Sequence, residues 1–254
     1  MSIRHALISW NTSTALITRK KELWSIPLLS LGITFSIWAL TWYCILEGWL
    51  NEGLQSKAPL LILPAWILVI YFNTFLEVAL AHGLMSNGRD PLDDGFAFSS
   101  ARKSLILQWA LINGAAKITL GLLGKQASYM KTTAWLGGMA WSTATLNVPA
   151  LIAKGQKPLS SIEESVQIVR KNALEVIGTL GTLWMAFRGL QMVFAIGGTA
   201  GVWWLVMAQQ FVAGIAAGFC AGILIIFLDA IRKAIVIAFA CQLVMETDEK
   251  DSDK

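Results

Sequence analysis

Apolar residues run through this chain in stretches too long for the alternating or one-faced patterns of a water-soluble fold. From Gly189 to Leu228 there are 40 consecutive residues without a charged side chain. A helix that crosses a bilayer needs about 20 apolar residues, so this run alone holds two crossings. Read the same way, the chain predicts six spans: Leu23–Leu46, Pro59–Met85, Ser104–Gly124, Thr132–Ala153, Ala173–Ile196 and Val202–Leu228, the last with a helical continuation toward Val244. An unbroken helix over the uncharged run would be about 60 Å long. That is twice the hydrocarbon thickness, and the glycine-rich Gly197-Gly198-Thr199-Ala200-Gly201 is the expected break.

The polar segments between spans repeat a layout. PLDDGFAFSSARK (91–103) and PLSSIEESVQIVRK (158–171) both begin Pro-Leu, end in a basic pair, and separate one span from the next. The N-terminal segment ends in the same way, in Arg19-Lys20-Lys21. Asp90 before Pro91 has the chemistry of a helix cap, and Ser160-Ser161-Ile162-Glu163 fits a capping box. Leu159, Ile162, Val166 and Val169 form an apolar stripe, as do Ile3, Leu7, Trp10, Thr14 and Ile17. Such stripes fit helices lying in the headgroup plane. The expected fold is therefore an all-α, polytopic membrane bundle of six transmembrane helices. They form three repeats of an amphipathic interfacial helix followed by two spans. Residues 1–245 make one transmembrane domain, and 246–254 a polar tail.

Charge sets the orientation. Of the 20 Lys and Arg residues, fifteen fall on the side that holds the N-terminus. Lys57, Lys125 and Lys131 fall on the other, and Lys117 and Arg188 lie within spans. The positive-inside rule then puts both termini and the three amphipathic segments in the cytoplasm. The expected location is a bacterial cytoplasmic (inner) membrane. Composition agrees: 56% of residues are hydrophobic and 14% charged, against about 25% charged in soluble domains. No basic domain lies outside the membrane to bind nucleic acid. Residues 1–22 lack the compact apolar core of a secretory signal and are expected to be retained. Cys44, Cys220 and Cys241 make no spaced pair.

Candidate chemistry is sparse. His5 and His82 are the only histidines, too few for a metal site, and no catalytic residue or cofactor is expected. Charge in hydrocarbon is costly, which singles out Glu77. Asn73 and Thr74 share its face of span two, and Thr143 and Asn147 lie in span four. These five residues either line a polar pocket or form interhelical hydrogen bonds that orient the bundle. Asp229 is placed to pair with Arg232 or Lys233 on its own helix. Gly214, Gly218 and Gly222 stand at four-residue spacing, with Ala213, Ala217 and Ala221 beside them. They make a small-residue face for close helix packing, within the chain or between two copies.

The chain resembles an uncharacterised bacterial six-span membrane family, a domain of unknown function. The residues that carry the resemblance are Arg19-Lys20-Lys21-Glu22-Leu23 with Pro27, Phe72-Asn73-Thr74, Gly88 with Pro91-Leu92, Ala101-Arg102-Lys103, Trp141-Ser142-Thr143-Ala144-Thr145, Val148-Pro149 and Gly155. It is more distantly similar to the membrane domain attached to some glycerophosphodiester phosphodiesterases, without their soluble catalytic domain. The resemblance implies no chemistry. The expected function is a non-enzymatic scaffold or accessory subunit, with membrane lipids and a protein in the membrane as partners. The alternative is a transporter or lipid-handling protein with a polar pocket around Glu77. Repeats of two spans each keep one orientation, unlike the inverted repeats of many transporters.

Overall fold

The computed structural model describes residues 3–50, 58–126 and 128–252, with side chains for 11–46, 62–123 and 131–249. The segments at 51–57 and at 127, and the side chains of Ile3, Leu7 and Trp10, lie outside the described residues. All regular structure among the described residues is helical: α1 (Ile3–Arg19), α2 (Ser25–Leu50), α3 (Ala58–Met85), α4 (Pro91–Ala101), α5 (Lys103–Gln126), α6 (Ser128–Ala144), α7 (Val148–Ala153), α8 (Pro158–Lys171), α9 (Ala173–Met207) and α10 (Phe211–Ser252), with a 3₁₀ turn at Lys21–Trp24. Among the described residues, five segments are long and apolar enough to cross a membrane: Lys21–Leu46, Ile62–Met85, Lys103–Leu123, Ala173–Met207 and Phe211–Glu249.

Local chemistry explains most boundaries. The Asp90 side chain accepts a hydrogen bond from Asp93 N (3.2 Å), and Pro91 occupies the first turn of α4, where no intrahelical N–H is needed. The expected capping box at Ser160–Glu163 does not form. α8 starts earlier, at Pro158, and the Ser160 and Ser161 hydroxyls donate back to Lys157 O (2.9 Å each). The proline supplies the start, so the serines fall inside the first turn.

Two other boundaries differ from the expectation. The glycine run 197–201 stays helical, and the chain reverses at Ala208–Gln210. Gln210 N donates to Leu205 O (2.8 Å) and Gln209 N to Val206 O (3.0 Å), with Gln209 at φ 60°. This is a Schellman termination with glutamine in the left-handed position usually taken by glycine. Gly198 serves packing instead: a Cβ on it would lie 2.6 Å from Ala221 Cβ of α10, while Gly197 and Gly201 have nothing within 4 Å. The expected span 132–153 is likewise not one helix. α6 ends at Ala144, Thr145–Asn147 turn, and α7 follows as a short helix buried along its whole length.

The densest packing lies at one end of the long helices. Buried there are Leu76–Leu84 of α3 (apart from Glu77 and His82), α7, and Ala234–Val244 of α10 (apart from Val236 and Gln242), with Ile17, Leu23, Ile106 and Ile168 around them. α4 crosses α3 closely because glycine stands at both contacts. A Cβ on Gly95 would sit 2.3 Å from Ala79 O, and one on Gly83 2.5 Å from Pro91 O. Toward the other end apolar side chains are open: Val212 is 83% and Ile215 75% exposed. That is what helices facing lipid require, and the reverse of a soluble core.

Candidate functional site: the cleft at Glu77 and the polar knot beneath it

Asn73 and Glu77 lie one turn apart on α3, on the side that meets α2 and α10. Asn73 is fully engaged with α2: its Oδ1 accepts from Ser30 Oγ (2.5 Å) and its Nδ2 donates to Thr34 Oγ1 (3.4 Å). Thr74 is buried. Glu77 is half-buried and makes no hydrogen bond or ion pair among the described residues. It opens onto a cleft of about 30 Å³, lined also by Pro27, Ser30, Asn73, Lys233 and Ala234. That is room for a water and little more. Across the cleft, Asp229 is held by Arg232 (2.7 Å) and Lys233 (3.4 Å), the pairing expected from their spacing. The carboxylate can accept a proton, and Lys233 on the same cleft is a positive charge that works against a second cation there.

The other two polar candidates are elsewhere. Thr143 faces a separate groove between α6, α8 and α9. Asn147 is buried in the turn between α6 and α7, where its backbone N–H donates to Ser165 Oγ (3.1 Å). Neither atom of its side-chain amide has a hydrogen-bond partner among the described residues. The five residues therefore do not line one pocket. Thr143 lies on the side of α6 that meets α8 and α9, and Asn147 falls in the turn at 145–147. Of the glycine face, Gly214 and Gly218 point at α9: Cβ atoms there would meet Val206 Cγ2 at 3.4 Å and Val202 Cγ2 at 3.2 Å. Gly222 has nothing within 4 Å.

A set of polar contacts not expected from the sequence lies beneath the cleft, where the short helices gather. Lys20 Nζ donates to the carbonyls of Gly83 (2.8 Å), Leu84 (3.0 Å) and Ser86, capping the C-terminus of α3. An ammonium there satisfies carbonyls the helix leaves unpaired and meets the negative end of its dipole. Burial pushes the Lys20 pKa below its ordinary value, and the charge of Asp94 opposes that shift. Asp94 also accepts from Ser86 Oγ (2.7 Å), tying α4 to the same end. His82 stacks on Phe98 (4.0 Å between centroids), its Nδ1 lies 3.0 Å from Ala153 O, and the Arg102 guanidinium covers Phe98 (4.4 Å). Gly155 ends α7 at φ 98°, and a Cβ there would lie 2.4 Å from Arg102 Nη1. Gly155 therefore needs both its left-handed backbone and its missing side chain. Lys20, Arg102 and Gly155 all belong to the motifs that carry the family resemblance, and that was the available signal. As basic residues, Lys20 and Arg102 read first as topology determinants, which hid their structural role.

Residues 59–247 match a family described as a family of unknown function, DUF6159. The match covers well over half of the chain, and the chain belongs to that family. No curated protein and no solved structure matches it.

Proposed function

We propose that this member of the DUF6159 family is a multi-pass protein of a bacterial cytoplasmic membrane that acts as a non-enzymatic scaffold or accessory subunit. The observation that carries the reading is the distribution of packing. A dense knot of short helices sits at the end rich in Lys and Arg, and the long helices beyond it expose apolar faces. This is the form of a platform held at a membrane surface, with the spans as its anchor. The polar cleft at Glu77 is water-sized, which suits a packing defect better than a solute path. Purification in mild detergent with mass spectrometry tests the reading. A stoichiometric membrane-protein partner is expected, and a co-purified water-soluble solute without any protein partner defeats it.

In this proposal α6 supplies a sixth crossing. Its 17 residues span about 25 Å, close to the hydrocarbon thickness. The three-repeat layout is supported by the junctions after α4 and α8. Arg102 (φ −118°, ψ 24°) and Asn172 (φ −115°, ψ 27°) make nearly the same bend into the long helix that follows. Reporter fusions after Lys254 and near Ser161 are expected to be cytoplasmic, and one near Ser56 external. An external signal at Ser161 excludes this topology.

One observation favours the transporter alternative: Glu77 has no hydrogen bond to lose, so Asn73 and not Glu77 ties α3 to α2. Glu77→Gln is therefore expected to leave stability within about 0.5 kcal/mol of the parent. The scaffold reading expects cellular function to survive the substitution as well. A stable but inactive Glu77→Gln protein shows that the titratable charge is used, and moves cation or proton handling to first place.

A further inference from the structure

A groove of about 460 Å³ lies between α6 and α9, with α8 at its end. Met139 and Thr143 line it from α6, Val166 and Arg170 from α8, and Ala173 and Ile177 from α9. The surface is apolar except for Thr143 and Arg170. Arg170 stands in the last turn of α8, three residues before the α9 span begins, and it is exposed. Its guanidinium makes no hydrogen bond or ion pair among the described residues. Of the carboxylates near it in sequence, Glu164 accepts from Gln156 Nε2 (2.7 Å) and Glu175 has an interaction of its own, while Glu163 stands two turns back along α8. Lys171 beside it is also exposed but has an interaction of its own, so Arg170 is the cation the groove presents.

We propose that this groove binds one anionic phospholipid of the inner leaflet, its phosphate on Arg170 and an acyl chain between α6 and α9. The inference rests on the membrane reading above and is compatible with a scaffold, for which the lipid fills the seam between two spans. The charge is of the right sign and stands at the headgroup end of an apolar slot. A guanidinium fork matches phosphate oxygens in pairs. Basic residues at the cytoplasmic face are attracted to anionic headgroups. A second groove, between α3 and α5 at Trp66 and Gly114, is about 140 Å³ and has no charged side chain on its walls. It offers a headgroup nothing and carries no such proposal.

The full chain is to be reconstituted in phosphatidylcholine vesicles doped with phosphatidylglycerol, washed with carbonate, extracted gently and weighed by native mass spectrometry. One phosphatidylglycerol per chain is expected to be retained in preference to phosphatidylcholine. Arg170→Gln should lower that preference about fivefold, and Arg89→Gln, an exposed arginine outside the groove, should not. Val166→Trp, which fills the groove, should lose the lipid of either charge while its helical circular dichroism is kept. A preference unchanged by Arg170→Gln, or a lipid retained by a folded Val166→Trp protein, overturns the site. Inserted protein that retains no phosphatidylglycerol overturns it as well. Failure to insert at all would instead defeat the membrane reading on which it rests.

Discussion

Gly95→Ala is expected to lower stability by about 3 kcal/mol, and Gly95→Leu to prevent the native packing of α4 on α3. The new Cβ would stand 2.3 Å from Ala79 O. That oxygen belongs to the backbone of a buried helix, so the two helices must separate rather than a side chain rotate. Separation would also strain the contact of Gly83 with Pro91 and the Ser86–Asp94 hydrogen bond at the same end. A graded series isolates the cause. At Gly218 the nearest atom is Val202 Cγ2 at 3.2 Å, the tip of a side chain, so Gly218→Ala should cost about 1 kcal/mol or less. Gly181 has nothing within 4 Å, and Gly181→Ala should be neutral or raise stability by up to about 1 kcal/mol through helix propensity. Thermal unfolding in one detergent ranks the three. Equal midpoints for Gly95→Ala and Gly181→Ala would refute the close α3–α4 crossing.

Lys20→Met is expected to cost about 2 kcal/mol. It keeps the length of the side chain and its apolar stem but removes the donor from three carbonyls at the end of α3. Those carbonyls lie beside Leu23 and α4, where water replaces the ammonium only in part. Lys21→Met is the control. It removes the same formal charge one residue later from an exposed side chain, and should stay within about 0.5 kcal/mol of the parent. Lys20→Arg keeps the charge but not the compact three-way donor, and should fall between the two. Hydrogen exchange of the amides between Met85 and Arg89 reads the effect locally, with faster exchange in Lys20→Met alone. If Lys20 and Lys21 behave alike, the basic cluster acts only through net charge on its side of the membrane.

The apolar pattern along the chain was enough to read the all-helical class and several of the joints. Uncharged runs longer than any soluble helix needs imply apolar helices, and five of them stand in the structure at membrane-spanning length. The Asp90–Pro91 cap and the Asp229–Arg232 pair were legible because each depends only on neighbours within one helical turn. The reversal between α9 and α10 was legible as a necessity but misplaced as a position. Glycines invite a break, yet the turn falls at Gln209-Gln210, a polar pair just beyond Trp203 and Trp204, a residue type that favours a membrane–water boundary. Only the tertiary structure decided that Gly197–Gly201 stays helical and that the expected fourth span breaks at Thr145–Asn147. It alone separated Thr143 and Asn147 from Glu77, left Glu77 without a hydrogen bond or ion pair among the described residues, and turned Lys20 from a topology charge into the cap of α3. These features depend on how near one part of the chain comes to another: a Cβ on Gly198 would stand 2.6 Å from Ala221 Cβ, and the Lys20 ammonium stands 2.8 Å from Gly83 O. Periodicity along one helix records which face is apolar, but not which neighbour meets it, nor at what distance.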